Sequence, residues 1–191
     1  MNTVCIIPAR GGSVRIPRKN LRLFYGKPII AYSIDLALNS GLFDRVIVST
    51  DDDEIEQVAK EYGAEVIRRP TCDGTMGTQE LMAQALKNID CKFACCLYAT
   101  APLLTGADIF YGLAEVHEDY TFFAMSVCED PLSDAGGFYC GRRRAFIERA
   151  PLIAPHTAMI PLPANRVCDI NTIDDWNRAE QLYKENHERN S

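Results

Sequence analysis

The chain has 191 residues, which is long enough for one well-packed domain, and its 47% hydrophobic and 24% charged residues are typical of a globular protein. No apolar run approaches the roughly 20 residues that cross a bilayer, and no signal peptide is recognisable, so we expect a cytoplasmic protein without a membrane partner. The formal net charge of -6 argues against nucleic-acid binding, which usually needs a broad basic surface.

Short apolar runs alternate with amphipathic segments along the chain. We predict strands at residues 3–8, 45–50, 64–67, 93–99, 121–128 and 136–141. We predict helices at residues 27–41, 51–63, 78–89, 105–118 and 171–190. This alternation specifies an α/β fold, doubly wound around a mainly parallel sheet, in which ligands bind at the carboxyl ends of the strands.

The cysteines do not form a recognisable ligand set. Eight are present, but no CxxC pair and no Cys/His cluster with zinc spacing occurs. Most of them lie in apolar runs such as "CKFACCLYA". We therefore expect reduced cysteines that pack in the core as small hydrophobic side chains.

The stretch "PARGGSVRIPRKN", residues 8–20, concentrates positive charge directly after the first predicted strand. No acidic residue precedes Asp35, whereas six basic residues are present before it: Arg10, Arg15, Arg18, Lys19, Arg22 and Lys27. Walker-type and GxGxxG phosphate signatures are absent. The two glycines could still bring backbone N–H groups close to an anion, with Arg10, Arg18 and Lys19 neutralising it. The alternative is a solvated basic loop.

Several motifs together resemble one family. "IIPARGGSVRIPRKNLRLFYGKPIIAYSID", "FDRVIVSTDDDEI" and "GAEVIRRP" are similar to the N-terminal half of the CTP-dependent acylneuraminate cytidylyltransferases, in particular those for pseudaminic acid. "CCLYATAPLLT", "DAGGFY" and "DINTIDDWNRAE" continue the resemblance. It implies a single domain over residues 1–191 with the nucleotide-diphospho-sugar transferase, Rossmann-like architecture. It also implies Mg²⁺-assisted transfer from CTP to an acidic nonulosonic sugar, giving a CMP-sugar and pyrophosphate.

The resemblance also implies roles for individual residues. The expected catalytic residues are Arg10, Lys19 and Asp169. The expected nucleotide-binding residues are Ala9, Arg10, Gly11, Gly12, Ser13, Lys19 and Arg69, of which Arg69 would contact cytosine. Tyr98 and Thr100 would line the sugar site. Asp169 and Asn171 would bind Mg²⁺, since side chains two residues apart at a strand end point to the same side.

The sequence departs from the family pattern at the places that matter for activity. Val14 stands where the family has lysine, and Asn171 replaces the second aspartate of Asp-Ile-Asp. Losing two charge-assisted contacts would slow the reaction roughly a hundredfold. A segment near residues 126–136, which builds the family's dimer contact and closes over the sugar, is shortened, and Gly137 replaces glutamine. A homodimer is therefore in doubt.

Three functions stay open at this point. The first is a working cytidylyltransferase for a nonulosonic acid. The second is a CTP-binding homologue with weak or no catalysis, and the third is a cytidylyltransferase for another acidic sugar, such as a 3-deoxy octulosonic acid. No general base is indicated, because His117, His156 and His187 all lie outside the motifs.

Overall fold

The computed structural model describes residues 2–71, 76–118, 120–129 and 133–188. The strands are β1 (Thr3–Ala9), β2 (Leu23–Phe24), β3 (Lys27–Pro28), β4 (Arg45–Thr50), β5 (Glu65–Arg68), β6 (Phe93–Leu97), β7 (Phe123–Cys128), β8 (Asp134–Arg142) and β9 (Thr157–Leu162). The α-helices are α1 (Ile29–Asn39), α2 (Asp53–Glu61), α3 (Thr78–Leu86), α4 (Gly106–His117), α5 (Arg143–Ile147) and α6 (Ile173–Glu188). Two 3₁₀ turns cover Lys19–Leu21 and Ala164–Arg166. Within the described ranges, no helix is long and apolar enough to cross a membrane.

Seven strands form one sheet in the order β5-β4-β1-β6-β8-β7-β9. Strand β8 is antiparallel to both of its neighbours, whereas the other adjacent strands run parallel to each other. The strands at the centre are apolar on both faces because helices cover both faces. The predicted doubly wound, mainly parallel α/β fold is confirmed.

The core consists of two layers on either side of the sheet. On one face, buried side chains of α1, α2 and α4, such as Ile34, Ile55 and Ile109, pack against β1 and β6. On the other face, Met82 of α3 and Phe146 of α5 pack against the same strands. Apolar burial of this extent is the main stabilising contribution to such a fold.

A third, smaller cluster joins the ends of the chain. Trp176 of α6 packs edge-on against Phe24 of β2, with their ring centroids 5.6 Å apart. Ile16, from the basic loop, and Ile170, from the segment before α6, are both fully buried in this cluster. The packing therefore brings two segments that are distant in sequence to the same edge of the sheet.

Most of the cysteines lie inside, as predicted. Cys5, Cys95 and Cys140 stand side by side on β1, β6 and β8, and all three are fully buried. Burial raises the pKa of the Cys5 thiol and keeps it neutral. Within the described part of the chain every cysteine is a free thiol. Cys72 lies outside the described residues.

The sequence missed strands β2, β3 and β9 and helix α5, and it misplaced the start of α1. Strand β9 was not predicted, because "TAMIPL" contains a proline and lacks strict alternation; it is an edge strand, where proline is tolerated. The five-residue helix α5 was also missed. Helix α1 begins at Ile29, since Lys27 and Pro28 instead pair with β2 in a two-stranded ribbon.

Candidate active site

The basic loop begins where β1 ends, at the carboxyl edge of the parallel strands. Ala9 is the last residue of β1 and is buried, and residues 10–22 then cross this edge. The segment 169–171, which precedes α6, lies against the loop: the Lys19 Nζ atom donates a hydrogen bond of 2.5 Å to the Ile170 carbonyl. The fold thus assembles the two predicted parts of the site, the loop and the Asp-Ile-Asn segment, at one edge.

Two carboxylates at the end of β4 hold the start of the loop. The Gly11 N–H donates to Asp51 Oδ1 at 2.9 Å. A Cβ atom on Gly11 would lie 2.9 Å from both Cβ and Cγ of Asp52, closer than such atoms approach in proteins. Gly11 is therefore required by the packing of Asp52, whereas we had expected both glycines to serve phosphate approach.

Gly12 has a different environment. A Cβ atom on Gly12 would meet no other atom within 4 Å, so this part of the backbone faces open space. The neighbouring Ser13 N–H is already used, because it donates to the Gly11 carbonyl at 3.0 Å. Of the predicted cradle Gly11, Gly12 and Ser13, the Gly12 backbone is the part that a ligand can approach.

The basic side chains of the loop divide into two groups. Arg18 is engaged by carboxylates: its guanidinium lies 2.5 Å from Asp52 and 2.8 Å from Glu54. Its hydrogen bond to Asp52 holds the pKa of that carboxyl below its usual range. In this arrangement Arg18 attaches the loop to α2, and its expected role toward a bound anion stays a prediction. By contrast, within the described residues the Arg10 side chain makes no hydrogen bond or ion pair.

Lys19 is half-buried in the basic loop. Burial lowers the pKa of Lys19, and repulsion from the like charges of Arg15 and Arg10 lowers it further. The negative charge of Asp169 partly offsets this lowering. Two further cations, Arg15 and Arg10, and two carboxylates, Asp169 and Asp175, therefore lie within electrostatic reach of Lys19. Such a concentration of positive charge favours an anionic ligand.

The side chains of Asp169 and Asn171 lie side by side but direct different hydrogen-bonding groups at their neighbours. The Asn171 Nδ2 atom donates to Asp169 Oδ2 at 2.5 Å, and Asn171 Oδ1 accepts from Arg15 Nη2 at 2.6 Å. Asp169 also lies over Gly136, whose φ of +63° and close approach to the carboxylate favour glycine. In this arrangement Asn171 turns its amide nitrogen, rather than an oxygen ligand, toward Asp169.

Of the two residues predicted for the sugar, Tyr98 lies within electrostatic reach of the Asp169 carboxylate. Tyr98 follows β6, and its hydroxyl is 2.6 Å from the Thr78 hydroxyl. Burial, and secondarily the charges around it, raise the pKa of Tyr98 and keep the phenol neutral. Its ring is edge-on to Tyr139, whose hydroxyl donates to Asp134. Thr100 is half-buried in the turn after β6.

Arg69 lies at the opposite side of the loop. It follows β5, and its backbone N–H donates to the Thr50 carbonyl at 3.0 Å. Its Nε atom is 3.5 Å from the Ser49 carbonyl, so the side chain is turned along the carboxyl end of β4. The structure does not bring Arg69 into contact with Asp169.

Three residues that position the loop were not singled out from the sequence. Asp51 and Asp52 fall at the start of the helix predicted over residues 51–63, and Asp52 caps α2 by accepting a 3.0 Å hydrogen bond from the Ile55 N–H. Asn20 is buried and donates to the Arg10 carbonyl at 3.0 Å. The signal that could have revealed the two aspartates is their position after the strand next to the basic loop.

The fold is that of the nucleotidyltransferases. A family model described as cytidylyltransferase matches residues 4–135. The chain belongs to this cytidylyltransferase family.

Curated relatives agree with this membership over nearly the whole chain. The pseudaminic acid cytidylyltransferase of Campylobacter jejuni subsp. jejuni serotype O:2 is 39% identical over 233 aligned positions, which include 98% of this chain and 99% of the relative. The protein of the same name from serotype O:23/36 is 37% identical, with the same coverage. Because this chain has 191 residues, the first relative carries additional residues within the aligned region.

Solved structures support the fold at low sequence identity. The CMP:2-keto-3-deoxy-manno-octonic acid synthetase, solved with CTP, superposes with a TM-score of 0.78 at 18% identity, covering 97% of this chain and 100% of that chain. A protein of Mycobacterium tuberculosis solved in complex with manganese gives a TM-score of 0.70 at 16% identity, covering 94% of this chain and 98% of that chain.

Proposed function

We propose that the chain transfers CMP from CTP to an acidic nonulosonic sugar, and that this sugar is pseudaminic acid. The observation that carries the proposal is the identity of 39% and 37% to two pseudaminic acid cytidylyltransferases over nearly their full length. In the reaction, the anomeric hydroxyl oxygen of the sugar forms a bond to the α-phosphorus of CTP. The bond from that phosphorus to the bridging oxygen of the β-phosphate breaks, pyrophosphate leaves with the electron pair, and the hydroxyl proton passes to solvent.

Arg10, Lys19 and the Gly12 backbone are the proposed triphosphate contacts. Only the Arg10 carbonyl is engaged, by Asn20, while within the described residues the Arg10 side chain makes no hydrogen bond or ion pair, and Gly12 faces open space. The charge of Lys19 is fixed next to Asp169 by its hydrogen bond to Ile170. Phosphoryl transfer depends chiefly on positioning and on neutralising charge, which these groups supply. Ala9, Gly11 and Ser13 shape the backbone beneath them.

Asp169 is the proposed protein ligand of Mg²⁺. It is an exposed carboxylate beside the loop cations, a suitable donor for a hard cation that takes its remaining ligands from phosphate and water. The orientation of the Asn171 amide argues against our expectation that Asn171 is the second ligand. The ion, when bound, would neutralise phosphate charge in the transition state.

The cytosine of CTP and the acceptor sugar are assigned to opposite sides of the Asp169 carboxylate. Arg69, at the end of β5, is the proposed cytosine contact, and Tyr98 and Thr100, after β6, are the proposed sugar contacts. Tyr98 supports this assignment because it lies within electrostatic reach of Asp169 and Asp134. Only residues 129–133 link β7 to β8, so the sugar side has a shorter connection than we expect for the family.

A pyrophosphate-release assay tests the proposal directly. The full chain, CTP and Mg²⁺ are incubated with pseudaminic acid, N-acetylneuraminic acid or 3-deoxy-manno-octulosonic acid. We expect release with pseudaminic acid and a loss of about a hundredfold or more in Lys19→Met. Arg144→Met, which removes an exposed charge on α5, serves as the matched control and should retain full activity.

A second function is favoured by one observation, the valine at position 14. Val14 is 86% exposed at the tip of the basic loop, where the family pattern has a lysine. A CTP-binding homologue with weak or no catalysis would bind CTP in calorimetry but release no pyrophosphate with any of the three sugars. Turnover with one of them excludes this alternative.

A further inference from the structure

Asp108 is a buried carboxylate of α4 whose two oxygens bind two different segments. Its Oδ2 atom accepts hydrogen bonds of 2.8 Å from the backbone N–H and from the hydroxyl of Thr105, which ends the segment that carries Thr100. Its Oδ1 atom lies 3.0 Å from the Nη2 atom of Arg166, three residues before Asp169. One side chain therefore joins the segment proposed to contact the sugar to the segment that carries the proposed metal ligand.

The ion pair between Asp108 and Arg166 is largely shielded from solvent. The Asp108 side chain is 6% exposed and the Arg166 side chain is 31% exposed. The surface pair Arg144–Glu148 on α5 is, by contrast, 86% and 55% exposed. Water and salt screen a buried pair less than a surface pair, and loss of one partner leaves the other as an uncompensated buried charge. The Asp108–Arg166 contact is therefore a firm connection between its two segments.

Stability alone does not account for an arginine at position 166. Its Nε atom is buried and, within the described residues, has no hydrogen-bond partner. A buried donor without an acceptor destabilises the fold, and an apolar side chain of similar volume would fill the same space without that cost. The guanidinium of Arg166 therefore contributes something that an apolar side chain lacks, a directed contact with Asp108.

Three segments of the site meet at the Arg166 side chain. It lines a narrow crevice together with residues 101–104, which follow Thr100, and with residues 135–137, at the start of β8. Gly136 in turn lies against Asp169, since a Cβ atom on Gly136 would be 3.3 Å from the Asp169 Cγ atom. A shift of Arg166 would therefore change the distance between Thr100 and Asp169.

We propose that the Asp108–Arg166 pair positions the acceptor sugar relative to the Asp169 carboxylate, and so sets how readily the sugar attacks the α-phosphorus of CTP. The proposal rests on the proposed function, because it requires the sugar beside Thr100 and the cation on Asp169. Asp108 and Arg166 are positioning residues, since they act through Thr105 and through the backbone that leads to Asp169. A misplacement of about 1 Å can slow such a reaction roughly a hundredfold.

Pyrophosphate release by Arg166→Met, measured well below its Tm, tests the proposal. We expect kcat to fall roughly ten- to a hundredfold and KM for pseudaminic acid to rise. CTP affinity measured by calorimetry should stay within about twofold, because the proposed triphosphate contacts lie on the basic loop. Arg166→Lys can still pair with Asp108 and should recover part of the rate. The matched control Arg144→Met, which breaks a surface ion pair, should keep all three constants.

Asp108→Asn tests the same contact from its other side. The amide oxygen can still accept from Thr105, whereas the amide NH₂ group would face the Arg166 guanidinium, donor to donor. We expect the same loss of kcat as in Arg166→Met, and no further loss in the double variant, because both substitutions remove one contact. Additive losses would overturn the proposal. A lower Tm of Arg166→Met with unchanged kcat and unchanged sugar KM would also overturn it, since the pair would then only stabilise the fold.

Amide hydrogen exchange, followed by mass spectrometry, tests the connection without turnover. In Arg166→Met we expect faster exchange in residues 98–105 as well as in residues 163–168, and in Arg144→Met we expect no change in either segment. Acceleration confined to residues 163–168 would overturn the proposal, whether or not any sugar is a substrate. If the unaltered chain releases no pyrophosphate with any of the three sugars, the proposed function itself fails, and the two failures are thereby distinguished.

Discussion

Substituting the two adjacent glycines of the loop separates a structural role from a ligand-binding role. In Gly11→Ala the new Cβ would lie 2.9 Å from Cβ and Cγ of Asp52. The Cβ of Asp52 is the root of its side chain, so rotation of the carboxylate cannot relieve this contact and Asp52 must move. Asp52 would then lose its cap on the Ile55 N–H, which contributes about 1 kcal/mol, and its partly exposed pair with Arg18, which contributes at most about 1 kcal/mol.

The expected loss of about 2 kcal/mol is measurable by thermal unfolding. In a chain of this size it lowers Tm by about 4–8 °C. In Gly12→Ala no atom lies within 4 Å of the new Cβ, so Tm should stay within about 1 °C of the unaltered chain. CTP affinity should nevertheless fall in Gly12→Ala, because the methyl group occupies the proposed phosphate approach. An unchanged Tm in Gly11→Ala would refute the argument from Asp52.

Three further outcomes follow from other contacts of the site. Gly136→Ala should cost about 1–2 kcal/mol, measured by urea unfolding, because φ is +63° there, and it should lower activity by displacing Asp169. Tyr98→Phe leaves the half-buried Thr78 hydroxyl without its partner and should cost about 1 kcal/mol, while raising KM for the sugar more than KM for CTP. Burial lowers the pKa of Lys19, so its positive charge is lost, as the pH rises, at a less alkaline pH than that of an ordinary lysine. CTP affinity measured against pH should therefore fall in this alkaline range, and Lys19→Arg, which stays charged, should abolish that fall.

The sequence predicted the fold well because its strands are apolar on both faces. Runs such as Phe93–Leu97 can be stable only between two layers of helices, and this fixes the class of architecture. Strand β9 could not be predicted in the same way, since an edge strand is partly exposed and its residues depend on the neighbour they meet. The helix α5 is too short to show a periodic pattern.

The sequence predicted two segments of the candidate site that the fold brings together, but it could not predict how their side chains pair. The sequence alone does not distinguish the cations of the loop from one another. In the structure, however, Arg18 pairs with Asp52, whereas Arg15 donates to Asn171, 156 residues away. Gly11 and Gly12 are adjacent and have unrelated surroundings. Such pairings depend on the register between distant segments, which local sequence patterns do not specify.

The central claim is that this chain makes a CMP-sugar, and ³¹P NMR of the reaction mixture tests it most directly. With CTP, Mg²⁺, pseudaminic acid and the full chain, we predict that the triphosphate signals decline while a phosphodiester signal and pyrophosphate appear in equal amounts. Omission of the sugar or of Mg²⁺ should leave CTP intact. Persistence of CTP in the complete mixture, with bound CTP demonstrated by calorimetry, would contradict the claim.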